Sequence, residues 1–132
     1  MLSHYTPVAT VGTTDLDRAR EFYARTLGLS AFLEDDERGV VMYVCGEGHL
    51  LVYRSHFAGT NRATAVTFRV EIDDFDAIAA DLRDKGVEYD TFAMEGVVRQ
   101  DGILVGEDER AAWFHDPDGN IIAQTAMRTF RQ

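Results

Sequence analysis

Hydrophobic and polar positions along this chain follow two rhythms in turn. Residues 8–11 (Val-Ala-Thr-Val) read as a strand, and after them Leu16, Ala19, Phe22 and Tyr23 recur at i, i+3, i+6 and i+7, which predicts an amphipathic helix. Thr13, Thr14 and Asp15 offer side-chain oxygens for its N-cap, and Gly28 suits its C-terminal stop. Strands are predicted at 31–34, 40–45 and 49–53, with turns near 35–39 and 46–48. The plan then starts again. Residues 64–72 are rich in β-formers, Asp73 or Asp74 is placed to cap a helix striped by Phe75, Ile78, Ala79 and Leu82, and Gly86 stops it. Strands follow at 88–91, 110–115 and 120–125, so each half reads strand, helix, three strands.

The last two strands flank Asp116-Pro117-Asp118-Gly119-Asn120. Pro117 presets φ for one corner of a tight turn and Gly119 accepts the left-handed conformation of another. Asp116, Asp118 and Asn120 alternate like the start of a calcium loop, but the glycine comes too early and Met127 stands where a bidentate glutamate should close it. The turn reading therefore prevails. The stretch 92–109, with Gly96, Gly102 and Gly106, is longer than most connections and is read as a loop, either a pocket cover or a plain surface excursion.

With 132 residues, 45% of them hydrophobic and 27% charged, the chain fits one domain, 1–132, with its own core. It divides into a first module at about 1–54, a linker at about 55–63 and a second module at about 64–132. A net charge of −10 speaks against nucleic-acid partners and against anionic membranes. The acidic run 34–37 is read as a solvated hairpin tip. No apolar run approaches the roughly 18 residues of a membrane span. No basic n-region or apolar h-region opens the chain, so no export signal is expected. Cys45 is alone and is read as a small buried hydrophobe; a cytoplasmic location fits it.

Three passages together resemble the vicinal oxygen chelate superfamily, which includes glyoxalase I, extradiol dioxygenases and the fosfomycin and bleomycin resistance proteins. They are residues 15–23 (DLDRAREFY) with Leu27-Gly28-Leu29, then Asp74-Phe75-Asp76-Ala77 with Leu82, Gly86 and Val87, and finally the 113–122 hairpin with its DPDGN turn. The resemblance implies an α+β fold of two βαβββ modules, with a curved mixed sheet around a cleft. It also implies a homodimer, formed by side-by-side packing or by exchange of modules.

Metal-dependent members of that superfamily use four inward-facing ligands, usually His and Glu, which suit Fe, Ni, Mn or Zn. Carried over, those positions fall at Val8 (Thr6 or Thr10 with a two-residue shift), Leu51, Thr67 (or Ala65) and Ala123. None is a good ligand, so no metal site and no cofactor are expected. A divalent metal stays open only through His49, Glu71 and His4.

Strand alternation puts Thr67, Arg69 and Glu71 on one face, and the family pattern puts Tyr53 and Trp113 on inward faces. Tyr53, Thr67, Arg69 and Trp113 are thus candidate ligand-binding residues. The plainer alternative pairs Arg69 with Glu71 at a rim and leaves Trp113 in the core. The reading that follows is a metal-independent protein holding a small organic molecule in the cleft, for resistance or sequestration. Its alternative is an enzyme of the same superfamily, a lyase, isomerase or dioxygenase, with Glu71 or His49 as general base and Arg69 steadying an enolate, or with an unorthodox metal site.

Overall fold

The computed structural model describes residues 1–90 and 98–128, the side chains of 98–100 excepted. β1 (Ala9–Thr13) leads into α1 (Leu16–Arg20), whose N-cap Asp15 accepts the Arg18 N–H at 3.1 Å. The helix does not stop there. It widens into a π-helical stretch, Glu21–Thr26, and ends as expected at Gly28, which has φ +76°. In this wider turn Tyr23 is fully buried beside Tyr43, while Phe22 is half-buried, edge-on to Tyr23 and within 6.4 Å of Phe114. The predicted stripe thus serves two neighbours rather than one.

β2 (Ser30–Asp35), β3 (Val40–Cys45) and β4 (Gly48–Arg54) complete the first module, whose sheet order is β1-β4-β3-β2 with β1 parallel to β4. The acidic tip is braced rather than simply solvated, since the Arg20 guanidinium reaches Glu34 at 2.9 Å and also holds Asp36. Cys45 is half-buried, and burial pushes its thiol up.

The second module holds three departures from the sequence reading. β5 (Thr64–Arg69) is shorter than 64–72, because Ile72–Asp74 coils into a 3-10 turn before α2 (Phe75–Asp84). Asp74 stands at the N-cap of α2 but its side chain makes no capping bond. Residues 88–90 form no strand, although the Asp90 N–H donates to the Trp113 carbonyl at 2.7 Å; Thr91 lies outside the described residues. The expected loop 92–109 instead contains a hairpin, β6 (Val98–Gln100) and β7 (Ile103–Val105), its portion at 92–97 lying outside the described residues. β8 (Glu109–His115) and β9 (Ile121–Met127) follow, giving a sheet ordered β5-β9-β8-β7-β6 with β5 parallel to β9.

The fold is therefore α+β, two modules each built on a strand, a helix and an antiparallel run, with one more strand in the second. β1 and β5 lie against one another where the modules meet. Each sheet turns one face to the helices, where Val11, Val41, Tyr43, Leu50, Val52, Phe114 and Ile122 are buried with Tyr23 and Phe75. The other face of each sheet is open, and it carries the positions of interest. Among the described residues no helix is long and apolar enough to cross a membrane.

Candidate functional site

The turn at 116–120 closes the last hairpin and also locks the modules together. Its Asp116 carboxylate, 5% exposed, accepts the Tyr23 hydroxyl at 2.6 Å, the Asn120 side-chain amide at 2.8 Å and the N–H groups of Asp118 and Asn120. Asp118 accepts the Thr13 hydroxyl at 2.6 Å, the Thr14 N–H and hydroxyl, and the Arg18 guanidinium at 2.8 Å. Asn120 donates to the Gly12 carbonyl at 2.8 Å and accepts the Gly59 N–H at 3.1 Å. Burial alone would raise the Asp118 carboxyl, but the Thr13 and Thr14 donors and Arg18 outweigh it and hold the group below the usual aspartate value. Burial, reinforced by Asp116, pushes the Tyr23 phenol far above its ordinary value, so it remains a donor. This knot of side chains is structural, and it fixes how the two open faces sit relative to each other.

On the open face of the second module, cross-strand register assembles two rows. Leu104 on β7 pairs with Ala111 on β8, Ala111 with Thr125 on β9, and Thr125 with Arg69 on β5. In the next row Trp113 on β8 pairs with Ala123 on β9, and Ala123 with Thr67 on β5. The small pair Ala111 and Thr125 leaves a hollow between taller neighbours. A cavity of about 380 Å³ opens there, bounded by Arg69, Leu104, Trp113 and Met127. The Trp113 indole N–H donates at 3.1 Å to the hydroxyl of Thr64, two strands away. The ring therefore lies across β9, and Ala123 beneath it is 3% exposed.

Of the ligand-binding candidates, Arg69 and Trp113 are thus brought to one cavity, with Thr67 on the same face. Tyr53 is not among them. It lines a separate depression of about 160 Å³ at the seam of the modules, with Thr10, Gly12, Phe57 and Ala65. The two weak catalytic candidates are not brought together. His49 stacks on Phe32 in the first module, ring centroids 4.8 Å apart, and Glu71 is exposed beyond the end of β5.

The family metal positions can also be placed. Beside Leu51 on β1 stands Thr10, while Val8 lies just before the strand; beside Ala123 on β5 stands Thr67. Two threonines, a leucine and an alanine offer no imidazole and no carboxylate, so this set does not fit a divalent ion. Among the described residues no group of three or more His, Cys, Asp or Glu is placed to hold one.

Two larger hollows lie elsewhere. One, of about 740 Å³, runs along Phe22, Thr26, residues 85–90 and His115, whose Nδ1 is 3.1 Å from Asp90. The other, of about 510 Å³, lies between Leu27, Leu29 and the face of α2. Sequence reasoning missed Gln124 at its floor, a buried amide that donates to the Phe75 carbonyl and accepts the Tyr89 hydroxyl at 2.6 Å. A glutamine among Ile122, Ala123 and Ala126 carries no sequence signal of burial beyond its parity with Ile122.

Comparison with known proteins agrees with this architecture. The fosfomycin resistance protein FosX of Listeria monocytogenes superposes with a TM-score of 0.73 at 13% identity, over 98% of this chain and 94% of that one. A lactoylglutathione lyase from Agrobacterium tumefaciens gives 0.67 at 16% identity, over 92% of each chain. The integron cassette protein HFX_CASS4, from the mobile metagenome of a Halifax Harbour sewage outfall, gives 0.69 at 23% identity, over 91% and 96%. At these identities the likeness is one of fold. No curated protein matches the chain. The family model of the Glyoxalase/Bleomycin resistance protein/Dioxygenase superfamily matches residues 2–123, and the chain belongs to that superfamily.

Proposed function

We propose that this protein binds a small organic molecule without a metal, on the open face of its second module, in a resistance or sequestration role. The observation that carries the reading is the Trp113 indole, laid over Ala123 and tied to Thr64. At the last of the superfamily's four metal positions the chain has a methyl group under an aromatic roof, and the other three positions offer no charged donor. FosX has been crystallised with Mn(II) and sulfate, so metal binding exists within this fold. Here the donors are replaced by apolar and hydroxyl groups beside a cavity with a tryptophan and an arginine at its edges, a lining suited to holding a molecule.

The same reading makes the protein a cytoplasmic homodimer. Phe32, Leu33, Val44 and Tyr53 are large hydrophobic side chains exposed on the first module's open face, on a chain of net charge −10. A second copy, which presents the same apolar patch, is the partner proposed to cover it.

The test is elemental analysis of tag-free protein from metal-replete culture, paired with a small-molecule binding screen in the presence and absence of chelator. Metal well below one equivalent, unchanged on incubation with Fe, Ni, Mn or Zn, and ligand binding indifferent to chelator are expected. Stoichiometric metal would overturn the reading. Sedimentation of the wild type against Phe32→Glu tests the dimer.

A further inference from the structure

We infer that the hollow between α2 and the first module's Leu27 and Leu29 is a second binding site, for a small amine with an apolar body, its ammonium on Asp74 and an acceptor oxygen on Gln124. The site lies on the helix side of the second sheet, away from the open face, and does not depend on the binding reading above. Its volume is about 510 Å³. Leu27, Leu29, Phe68, Val70 and Ile78 at its wall pack against the core yet are only partly buried. Apolar surface left wet around one concave space is what the body of a ligand covers. The charged side chains among its described lining are Asp74 and Asp81, two turns apart on one face of α2. Asp81 is paired with Lys85 at 3.1 Å. Asp74 makes no capping bond, and its carboxylate has no partner among the described residues. On so acidic a chain a lone carboxylate is ordinary; at the mouth of an apolar hollow it selects a molecule that is both apolar and cationic.

The floor carries an independent mark. Gln124 shares strand parity with the buried Ile122 and Ala126, turns toward the helices and is 2% exposed. The Phe75 carbonyl can only accept, so at 3.3 Å it faces the amide nitrogen. The amide oxygen then accepts the Tyr89 hydroxyl at 2.6 Å, and burial pushes that phenol up to about 12, which keeps it a donor. The amide has a second N–H, and no described residue accepts it. A buried donor without a partner is costly, and Gln124 lines the hollow. An acceptor oxygen at the inner end of a bound molecule satisfies it, while the other end reaches Asp74 at the rim.

The test uses 3-(4-methoxyphenyl)propylamine, its ethyl analogue 3-(4-ethylphenyl)propylamine, which lacks the acceptor oxygen, and the neutral alcohol 3-(4-methoxyphenyl)propan-1-ol. Affinity is read by calorimetry. Location is read from the Ile78 methyl and Gln124 side-chain amide resonances, with the indole N–H of Trp113, the one tryptophan in the sequence, as the marker of the other face. The methoxy amine is expected to shift the first two and leave the indole unmoved. It should bind about fivefold tighter than the alcohol at low salt, an advantage that fades at high salt, and several-fold tighter than the ethyl amine. Asp74→Asn should erase the preference for amine over alcohol. Asp76→Asn, the same change of charge on the same helix but outside the lining of the hollow, should leave it. Ala77→Leu, which fills the mouth from an exposed position, should weaken all three probes; unfolding curves of each variant verify that it is folded. Equal binding of amine and alcohol, or a preference that survives Asp74→Asn, overturns the amine assignment. Equal binding of the methoxy and ethyl amines overturns the part given to Gln124. Failure of all three probes to move the Ile78 or Gln124 resonances overturns the site, and so does movement of those resonances with protein concentration alone, which gives the hollow to a second copy. The open-face reading falls instead on its own metal and ligand measurements, which none of these outcomes alters.

Discussion

The phenol of Tyr23, on the first module's helix, donates a 2.6 Å hydrogen bond to the Asp116 carboxylate in the last turn of the second. Both groups are buried, and Asp116 satisfies three further donors. Tyr23→Phe should therefore cost about 1.5–3 kcal/mol, the typical range for removing one bond to a charged group. Asp116→Ala strands the Tyr23 hydroxyl, an amide and two backbone N–H groups at once, and should cost about 3 kcal/mol or more. Urea unfolding of the two variants measures both.

Gly59 and Gly28 share almost the same backbone, φ +73° and +76°, but not the same surroundings. A Cβ at Gly59 would stand 1.8 Å from the Asp118 carbonyl oxygen, whereas one at Gly28 meets nothing within 4 Å. Gly28→Ala should lose only the conformational term, about 1 kcal/mol. Gly59→Ala must also push the turn off the first module, and its thermal midpoint should fall much further.

Acid should loosen the same joint. The Asp118 carboxyl is held below its ordinary value of 3.8, so its contribution is present above that pH and is lost as pH falls through the depressed folded value. The stability gap between wild type and Asp118→Asn should be constant near neutrality and shrink below about pH 3.8. At the other end, burial raises the phenols of Tyr23, Tyr43 and Tyr89 above 10.0, Tyr89 to about 12. Their contribution is full below pH 10 and is lost above it, as the unfolded chain ionises first. Urea midpoints measured from pH 3 to pH 11 follow both limbs.

Ala123→Glu restores one acidic family ligand. The new side chain has to displace the Trp113 indole or bury a carboxylate beneath it. The expected outcome is a lower thermal midpoint, a cost of about 1–3 kcal/mol, and still no stoichiometric metal. A gain of one equivalent of Mn, Ni or Zn would mean that the other three positions supply more than their side chains suggest.

Much of the fold was legible because the periodic residues are also the buried ones: Leu16 and Ala19 on α1, Tyr23 on the π-helical stretch that continues it, and Phe75, Ala79 and Leu82 on α2. The hairpin of β6 and β7 also carries a local signal. Asp101 and Gly102 both have positive φ, and Gln100 pairs with Ile103, so Asp-Gly is the two-residue turn that this dipeptide favours. The glycines of that stretch suggested a loop and hid the turn. Strand parity puts Arg69 on one face with Thr67 and the family pattern turns Trp113 inward, but neither assigns them a common cavity. That depends on Thr125 lying beside Arg69, a parallel pairing of two strands distant in sequence that no local pattern encodes. The part played by Asp116 and Asp118 was hidden for a related reason, since their partners Tyr23 and Thr13 are 93 and 105 positions away.

That separation bears on how the chain reaches its native state. The bonds that fasten the first helix and its cap come from a turn formed near the end of the sequence, so a loop of about a hundred residues must close before they exist. Until then the first module has only its own strand ladders and apolar burial to hold it, with Tyr23 and Thr13 lacking the partners they have in the folded protein. On this loop-closure argument the docking of the modules is expected to be a late step of folding. A lesion in the five residues of the turn would leave two partly formed halves rather than one loose loop.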